Sequence, residues 1–396
     1  MACPQSHSIL QSNRPTGRND QYINYNRYHF KQWHTLPNNM ALETMNSYLK
    51  SAARNLHLSV GQIAIIASLL IVAASVACGS GSVDDDGIVA EGLSSPRGLA
   101  FDQDGNLLIA ESGRGRLLKV TDDGEVIPIA KGLPFSLKTG PEGAYQAGPS
   151  AISLLNGEVY FIVGEYIGEQ SARMYRTTDD AGYEPVTPIT DGWAPLDNRF
   201  SNPYDMVNAP EVGGWIVSDP GGNSLRAVDL DGNIRDYVVF YNFAIPDQTA
   251  AVEVVPTGIA RGPDGAIYVG TLTGYPYPAG EAAVWRVEDL NGDGDALDQG
   301  EAEPFVTGLT TVTDITFGTD GTLYIAEFSS DTEKVLEGGD FSKNAKSLPG
   351  RVLIWNGSET TVFADNVVSP TSLLTTDSTL YITEEFAGKV STRPLD

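Results

Sequence analysis

The chain has 396 residues, of which 41% are hydrophobic and 42 are glycine, enough for one large all-β domain or two ordinary domains with a buried core. Its 25 basic and 51 acidic side chains are unevenly placed: residues 1–78 hold six basic and two acidic groups, and the remainder carries 19 and 49, a net charge of −30. Such a surface repels phosphate backbones and anionic headgroups, which argues against a nucleic-acid partner and leaves cations, neutral ligands and basic proteins open.

Residues 1–44 are polar, show no apolar period of 2 or 3.6, and are given no fold: they read as a disordered or mis-assigned extension, with Met40 and Met45 as alternative starts. From Met45 the chain carries Lys50 and Arg54, an apolar run from Ile63 to Ala77, then Cys78-Gly79-Ser80-Gly81-Ser82 and the acidic Asp84 to Asp86. A positive segment, an apolar segment and a small-residue cleavage site make residues 45–77 a signal peptide, with 78–86 as anchor and tether. The apolar run is short for a span, which needs ~20 residues. Ser75-Val76-Ala77-Cys78 resembles a bacterial lipobox, with Ser75 where Leu or Val is usual, and this implies a lipidated Cys78 and a membrane-anchored lipoprotein. Two alternatives stay open: ordinary signal peptidase cutting after Ser75-Val76-Ala77 to give a soluble product, and an uncleaved anchor from Val60 to Cys78. Each places the domain outside the cytoplasm.

Cleavage before Cys78 would also remove Cys3, His7, His29, His34 and His57, leaving one cysteine and no histidine. No intrachain disulfide, Cys/His metal site, Ser-His triad or Cys-His pair can then be built.

Residues 87–396 repeat with the period of a four-stranded propeller blade. The clearest unit runs from Pro96-Arg97-Gly98-Leu99-Ala100 through Asp-Gly turns to Val126-Ile127-Pro128-Ile129-Ala130, and its frame returns at Pro149, Pro203, Pro256, Val312 and Pro370. The last copy stops one strand short, and Gly87 to Leu93 resembles the missing fourth strand. The expectation is an all-β, six-bladed β-propeller whose N-terminal strand closes the ring and leaves no long free edge.

At Pro96-Arg97-Gly98-Leu99-Ala100, Gly140-Pro141-Glu142-Gly143, Val255-Pro256-Thr257-Gly258 and Thr273-Gly274-Tyr275-Pro276-Tyr277-Pro278 the sequence resembles the ScyD/ScyE family, NHL-like bacterial propellers. The resemblance implies the fold and supplies no catalytic residues.

Antiparallel order puts tight turns on one end of the ring and long connections on the other, around Pro134 to Ala147, Asp191 to Ser201, Asn242 to Val254, Thr271 to Glu281 and Phe328 to Pro349. On the long-loop end, Glu111, Glu165, Asp219, Glu327 and Glu384 close second strands, with Thr271 in the fourth blade. Arg97, Asp205 and Asp314 open innermost strands beside the channel. These residues read either as a carboxylate-rich ligand face for a cation, a cationic ligand or a polyol, or as acceptors for backbone N–H groups of their own and neighbouring blades.

The fourth blade interrupts the tight-turn pattern with Asp289, Asn291, Asp293, Gly294, Asp295, Asp298 and Glu301, whose alternating oxygen donors and sixth-position glycine fit a structural calcium loop. Asp295 would give its carbonyl, and the closing Glu301 stands at position 13 rather than 12. The functional expectation is a binding module for a small molecule or protein at the long-loop face. The alternative is a metal-dependent, lactonase-like hydrolase with a carboxylate site at the central channel; the missing histidines argue against lyases and quinoprotein dehydrogenases of similar fold.

Overall fold

The computed structural model describes residues 87–396 apart from 122, 141–142, 165–171, 190–200, 245–250, 276, 330, 332–333, 335–343, 345 and 396. The expected signal peptide, Cys78 and the tether lie outside the described residues, as does Glu165.

The closing strand β1 (Gly87–Glu91) is followed by blade 1, with β2 (Pro96–Phe101), β3 (Leu107–Glu111), β4 (Arg116–Val120) and β5 (Val126–Lys131). After the hairpin β6 (Ser136–Gly140) and β7 (Gly143–Ala147) comes blade 2, with β8 (Pro149–Leu155), β9 (Glu158–Val163), β10 (Arg173–Thr178) and β11 (Gly182–Pro188). Blade 3 holds β12 (Asp205–Ala209), β13 (Gly214–Asp219), β14 (Ser224–Asp229) and β15 (Ile234–Val239), and a small hairpin follows, β16 (Phe243–Ala244) and β17 (Ala251–Val252). Blade 4 is β18 (Val254–Arg261), β19 (Ile267–Thr273), β20 (Ala282–Val287) and β21 (Ala302–Leu309); blade 5 is β22 (Val312–Phe317), β23 (Leu323–Glu327), β24 (Gly350–Trp355) and β25 (Thr360–Val367). Blade 6 has β26 (Pro370–Thr375), β27 (Thr379–Glu384) and β28 (Lys389–Pro394).

Each blade is a four-stranded antiparallel meander, and the sixth is completed by β1, which pairs with β28 from Gly87 opposite Thr392 to Glu91 opposite Lys389. The innermost strands β2, β8, β12, β18, β22 and β26 touch in sequence, and β26 returns to β2. The chain is therefore a closed six-bladed β-propeller, fastened by the N-terminal strand as the repeat count requires. Two connections expected to be plain loops are hairpins, β6 with β7 and β16 with β17.

Burial explains why the second strands read as continuous apolar runs. In β3, Leu107 and Ile109 pack with Ala90 and Val390 of blade 6, while Leu108 and Ala110 pack with Ile152 and Phe161 of blade 2. Both faces of that strand are covered, so neither can be polar. The same alternation recurs in β23, where Leu323 and Ile325 face blade 4 and Tyr324 and Ala326 face blade 6. The core is thus a set of hydrophobic seams between neighbouring blades.

Candidate functional site at the channel mouth

An innermost strand has no ladder partner on its channel side, so its edge groups need other partners. Proline at the frame position (96, 149, 203, 256 and 370) begins this edge without an N–H to satisfy. The next residue supplies the join between blades. Ser150 Oγ donates to Pro203 O at 3.1 Å, Thr257 Oγ1 to Val312 O at 2.8 Å, Thr313 Oγ1 to Pro370 O at 2.7 Å and Thr371 Oγ1 to Pro96 O at 3.4 Å. Four of the six seams thus share one hydroxyl-to-carbonyl belt.

The two exceptions are Arg97 and Tyr204. In blade 1 the bond to Pro149 O is made by Ser112 instead, and Arg97 turns to Glu385, whose Oε1 accepts from Nε at 3.3 Å and Nη2 at 3.2 Å. Arg97 keeps 18% of its side-chain surface, and Glu385 only 5%. In blade 3 the Tyr204 hydroxyl donates to Thr371 O at 3.3 Å. Its ionisation is pushed upward by burial and by the charges of Asp314, Glu385 and Asp205, against the opposing effect of Arg97. Tyr204 therefore remains a neutral donor among these four titratable groups.

Asp205 and Asp314 stand one position further along their strands and act as clips. Asp205 Oδ2 accepts Ile259 N of blade 4 at 2.9 Å, and Asp314 Oδ2 accepts Leu373 N of blade 6 at 2.6 Å. Their other oxygens accept the next N–H in their own strands, Met206 and Ile315, both at 2.8 Å. Burial raises the Asp205 carboxyl to about 6; burial, then the charge of Asp205, raises Asp314 well above the usual carboxylate range.

The second-strand acids are internal clasps rather than a mouth. Glu111, Asp219, Glu327 and Glu384 are buried. They accept Ser94 N at 2.9 Å, Asn202 N at 2.7 Å, Thr310 N at 2.7 Å and Val368 N at 2.9 Å, each from the segment leading into its own blade. Arg116, Arg351 and Lys389, at the start of third strands, neutralise Glu111, Glu327 and Glu384. Asp219 takes the Ser201 hydroxyl at 2.8 Å instead, and burial lifts it to about 6. In blade 4, Thr271 replaces the acid, donating to Ala283 O at 3.0 Å and accepting Ala283 N at 3.2 Å. These residues are consumed by the fold, and so is Asp314, which is buried with both carboxylate oxygens on backbone N–H groups; of the sequence-selected ligand face, Arg97 and Asp205 keep partial exposure at the channel end, and the structure adds Tyr204, with Glu385 buried behind Arg97. Lining up the six frames exposes Tyr204 at once, since it occupies the belt column.

The acidic segment between β20 and β21 is shaped by its own backbone. Asp289 accepts Gly292 N at 2.6 Å and Gly294 N at 2.8 Å, and Glu301 accepts Leu290 N and Asp298 N, both at 3.0 Å. Asn291 donates to Asp293 at 3.0 Å and to Asp298 at 2.7 Å, and Asp295 caps Leu297 N at 3.1 Å. The loop does more than turn a hairpin: Ala296 N donates to Tyr237 O of blade 3 at 2.9 Å, Arg235 of blade 3 donates to Gly294 O, and Ala296 is buried in the seam between blades 3 and 4. Among the described residues no three Asp, Glu, Cys or His side chains converge as a metal shell does, in this loop or at the channel. The expected donors are gathered in one loop but turn to backbone N–H groups and to the Asn291 side-chain amide.

No protein-family model and no curated protein matches the chain. Solved structures similar to it include the calcium-binding protein regucalcin from Agrobacterium tumefaciens, at 13% identity over 78% of this chain and 92% of that one, with a TM-score of 0.51. The PQQ-bound aldose sugar dehydrogenase from Streptomyces coelicolor is 12% identical over 78% of this chain and 96% of its own, with a TM-score of 0.50. A luciferin-regenerating enzyme is 11% identical over 78% and 95%, also with a TM-score of 0.50. At this level of identity the likeness is one of fold, and the fold it supports is the propeller.

Proposed function

We propose that the chain is an extracytoplasmic propeller of the ScyD/ScyE type, anchored through a lipidated Cys78, that binds a small molecule or protein at the long-loop end of its channel. The observation that carries this reading is the release of Arg97 and Tyr204 from the belt that Ser150, Thr257, Thr313 and Thr371 maintain. A ring held by a repeated hydroxyl gives up that bond where another side chain has a different task. A guanidinium, a neutral phenol and the half-buried Asp205 offer donors and an acceptor to a polar or cationic ligand. On the same end Tyr275 is 64% exposed and meets Tyr277 edge to face at 6.1 Å, with Tyr277 held at a φ of 59°. A bulky residue in the left-handed region is strained, and exposed aromatic faces suit sugars and cations.

The test is a thermal-shift panel of polyols, cationic compounds and lactones on the wild type and on Arg97→Thr and Tyr204→Thr, which restore the belt residue. A compound that raises the wild-type melting temperature and loses its effect in both variants supports the reading. Equal shifts in all three proteins would move the site elsewhere, and chelator-sensitive lactone turnover would favour the hydrolase.

For the acidic loop we propose a structural calcium ion. The donors are hard oxygens in a segment of thirteen residues, Asp289 to Glu301, which suits calcium better than a softer or stricter ion. Asp289, Asn291, Asp293, Asp298 and Glu301 would hold it by side chains and Asp295 by its carbonyl. When bound, the ion supplies neutralisation of the mutually repelling acids. Because Ala296 and Gly294 reach blade 3, calcium would brace the seam between blades 3 and 4.

A further inference from the structure

We infer that the backbone N–H groups of Leu99 and Ile152, on the channel edge of blades 1 and 2, form a subsite for the carboxyl group of a zwitterionic small molecule. The inference rests on the binding reading above and names the group that the channel takes.

The subsite is a gap in a repeated pattern. Positions 98, 151, 205, 258, 314 and 372 are equivalent in the six innermost strands, one past the belt. The residue after each of them (Leu99, Ile152, Met206, Ile259, Ile315 and Leu373) turns its N–H away from the second strand and towards the channel. Ladder alternation requires it: Asp102 N bonds to Asn106 O in blade 1, so Ala100 opposite Leu108 is a bonded pair and Leu99 opposite Ile109 is not. Counting back from the hairpin pair Leu155 and Glu158 leaves Ile152 in the same state.

Asp205 and Asp314 serve these edge groups two at a time. The Asp205 carboxyl bridges Met206 N at 2.8 Å and Ile259 N at 2.9 Å, joining blades 3 and 4, and the Asp314 carboxyl bridges Ile315 N at 2.8 Å and Leu373 N at 2.6 Å, joining blades 5 and 6. In the same register a carboxyl on residue 98 would bridge Leu99 N and Ile152 N and join blades 1 and 2. Position 98 is glycine, however, and a Cβ there would stand 2.6 Å from Ala151 Cα. The third pair of donors is present without its acceptor. Among the described residues no side chain accepts either N–H, although Leu99 is only 8% exposed and Ile152 5%. Buried donors left in this state are costly, and a ligand carboxyl placed like the two resident ones satisfies both.

The surroundings of the gap specify the rest of the ligand. Because blades 3 and 6 stand opposite each other in the ring, the bond from Tyr204 to Thr371 O carries the phenol across the channel and leaves blades 1 and 2 on one side of it. Blade 1 departs from the repeat at two successive positions, with Arg97 in place of the belt hydroxyl and Gly98 in place of a clip. A guanidinium and two N–H groups suit a carboxylate. The same wall carries Asp205, Asp314 and Glu385 against that single guanidinium, which Glu385 already pairs, so a ligand that brings a carboxyl must also bring a cation. The half-buried Asp205 is the acceptor for it.

The experiment follows the amide signals of Leu99 and Ile152 by nuclear magnetic resonance, in the purified protein isotope-labelled at leucine and isoleucine, as glycine betaine is added. Choline, which carries the same trimethylammonium group with a hydroxyl in place of the carboxyl, is the control. Betaine should move both amide protons downfield along one saturation curve, and choline should leave them in place. Unmoved amides, movement of one alone, or equal movement with choline overturns the subsite. Ala151→Asn gives Ile152 N the intrastrand acceptor that Asp205 gives Met206 N, and should weaken betaine binding on the order of tenfold, the loss of one hydrogen bond. Unchanged affinity overturns the proposal; if the variant does not fold, the wild-type curves decide alone. A compound that stabilises the protein through Arg97 and Tyr204 while both amides stay still with betaine would leave the binding reading standing and remove this one.

Discussion

Asp314 Oδ1 occupies the place that a side chain on residue 258 would take, 1.9 Å from a Cβ built there. Gly258→Ala is therefore expected to destabilise the ring by about 3 kcal/mol, at the upper end of ordinary overpacking. Adding Asp314→Ala should recover little of the loss, because the Asp314 backbone is itself only 2.4 Å from that Cβ. Chemical denaturation of both variants measures the cost.

Ring closure makes a separate prediction. Ala90 is buried with Leu99, Leu107, Ile109 and Leu118 in the seam between blades 6 and 1. Deleting residues 87–91 would uncover that seam and the edge of β28 together. A lower melting temperature or concentration-dependent aggregation is expected; unchanged melting would mean that β1 contributes nothing to closure.

The internal clasps should behave as buried ion pairs broken from one side. Glu327→Ala leaves the Thr310 amide and the Arg351 guanidinium without their acceptor, and a loss of about 3–5 kcal/mol is expected. Glu158, an exposed acid paired with Arg176 in blade 2, provides the contrast: Glu158→Ala should cost far less, because solvent screens the pair. Equal losses would contradict the distinction between clasp and surface pair.

Calcium is expected to raise the melting temperature in proportion to its occupancy. Asp293→Ala should abolish the rise. Arg235→Ala should leave calcium uptake by calorimetry intact but shrink the thermal shift, since Arg235 ties the loop to blade 3 through Gly294 O. Absence of uptake by the wild type would leave the loop as an acidic brace held by its own backbone.

The ring was legible in the sequence because blade frames repeat as local patterns: a proline, an apolar run and an Asp-Gly turn. The closing strand was legible by subtraction, since the last copy lacked one. Side-chain destinations were less legible. Glu111 and Glu327 look in sequence like a charged rim, yet their partners Ser94, Thr310 and Arg351 become visible only when the blade is folded. Glu385 carries no signal in the sequence because its neighbour Glu384 fits the repeat, whereas Glu385 itself reaches Arg97 across 288 residues. The reach of the acidic loop to Tyr237 likewise depends on the packing of two blades.

The most direct test of the central claim is a crystal structure of the protein soaked with the compound that gives the largest thermal shift, in the presence of calcium. The binding account predicts density at the long-loop end of the channel, within hydrogen-bond distance of the Arg97 guanidinium and the Tyr204 hydroxyl. A compound seated on the outer strands or at the tight-turn end, with Arg97 and Tyr204 untouched, would contradict it.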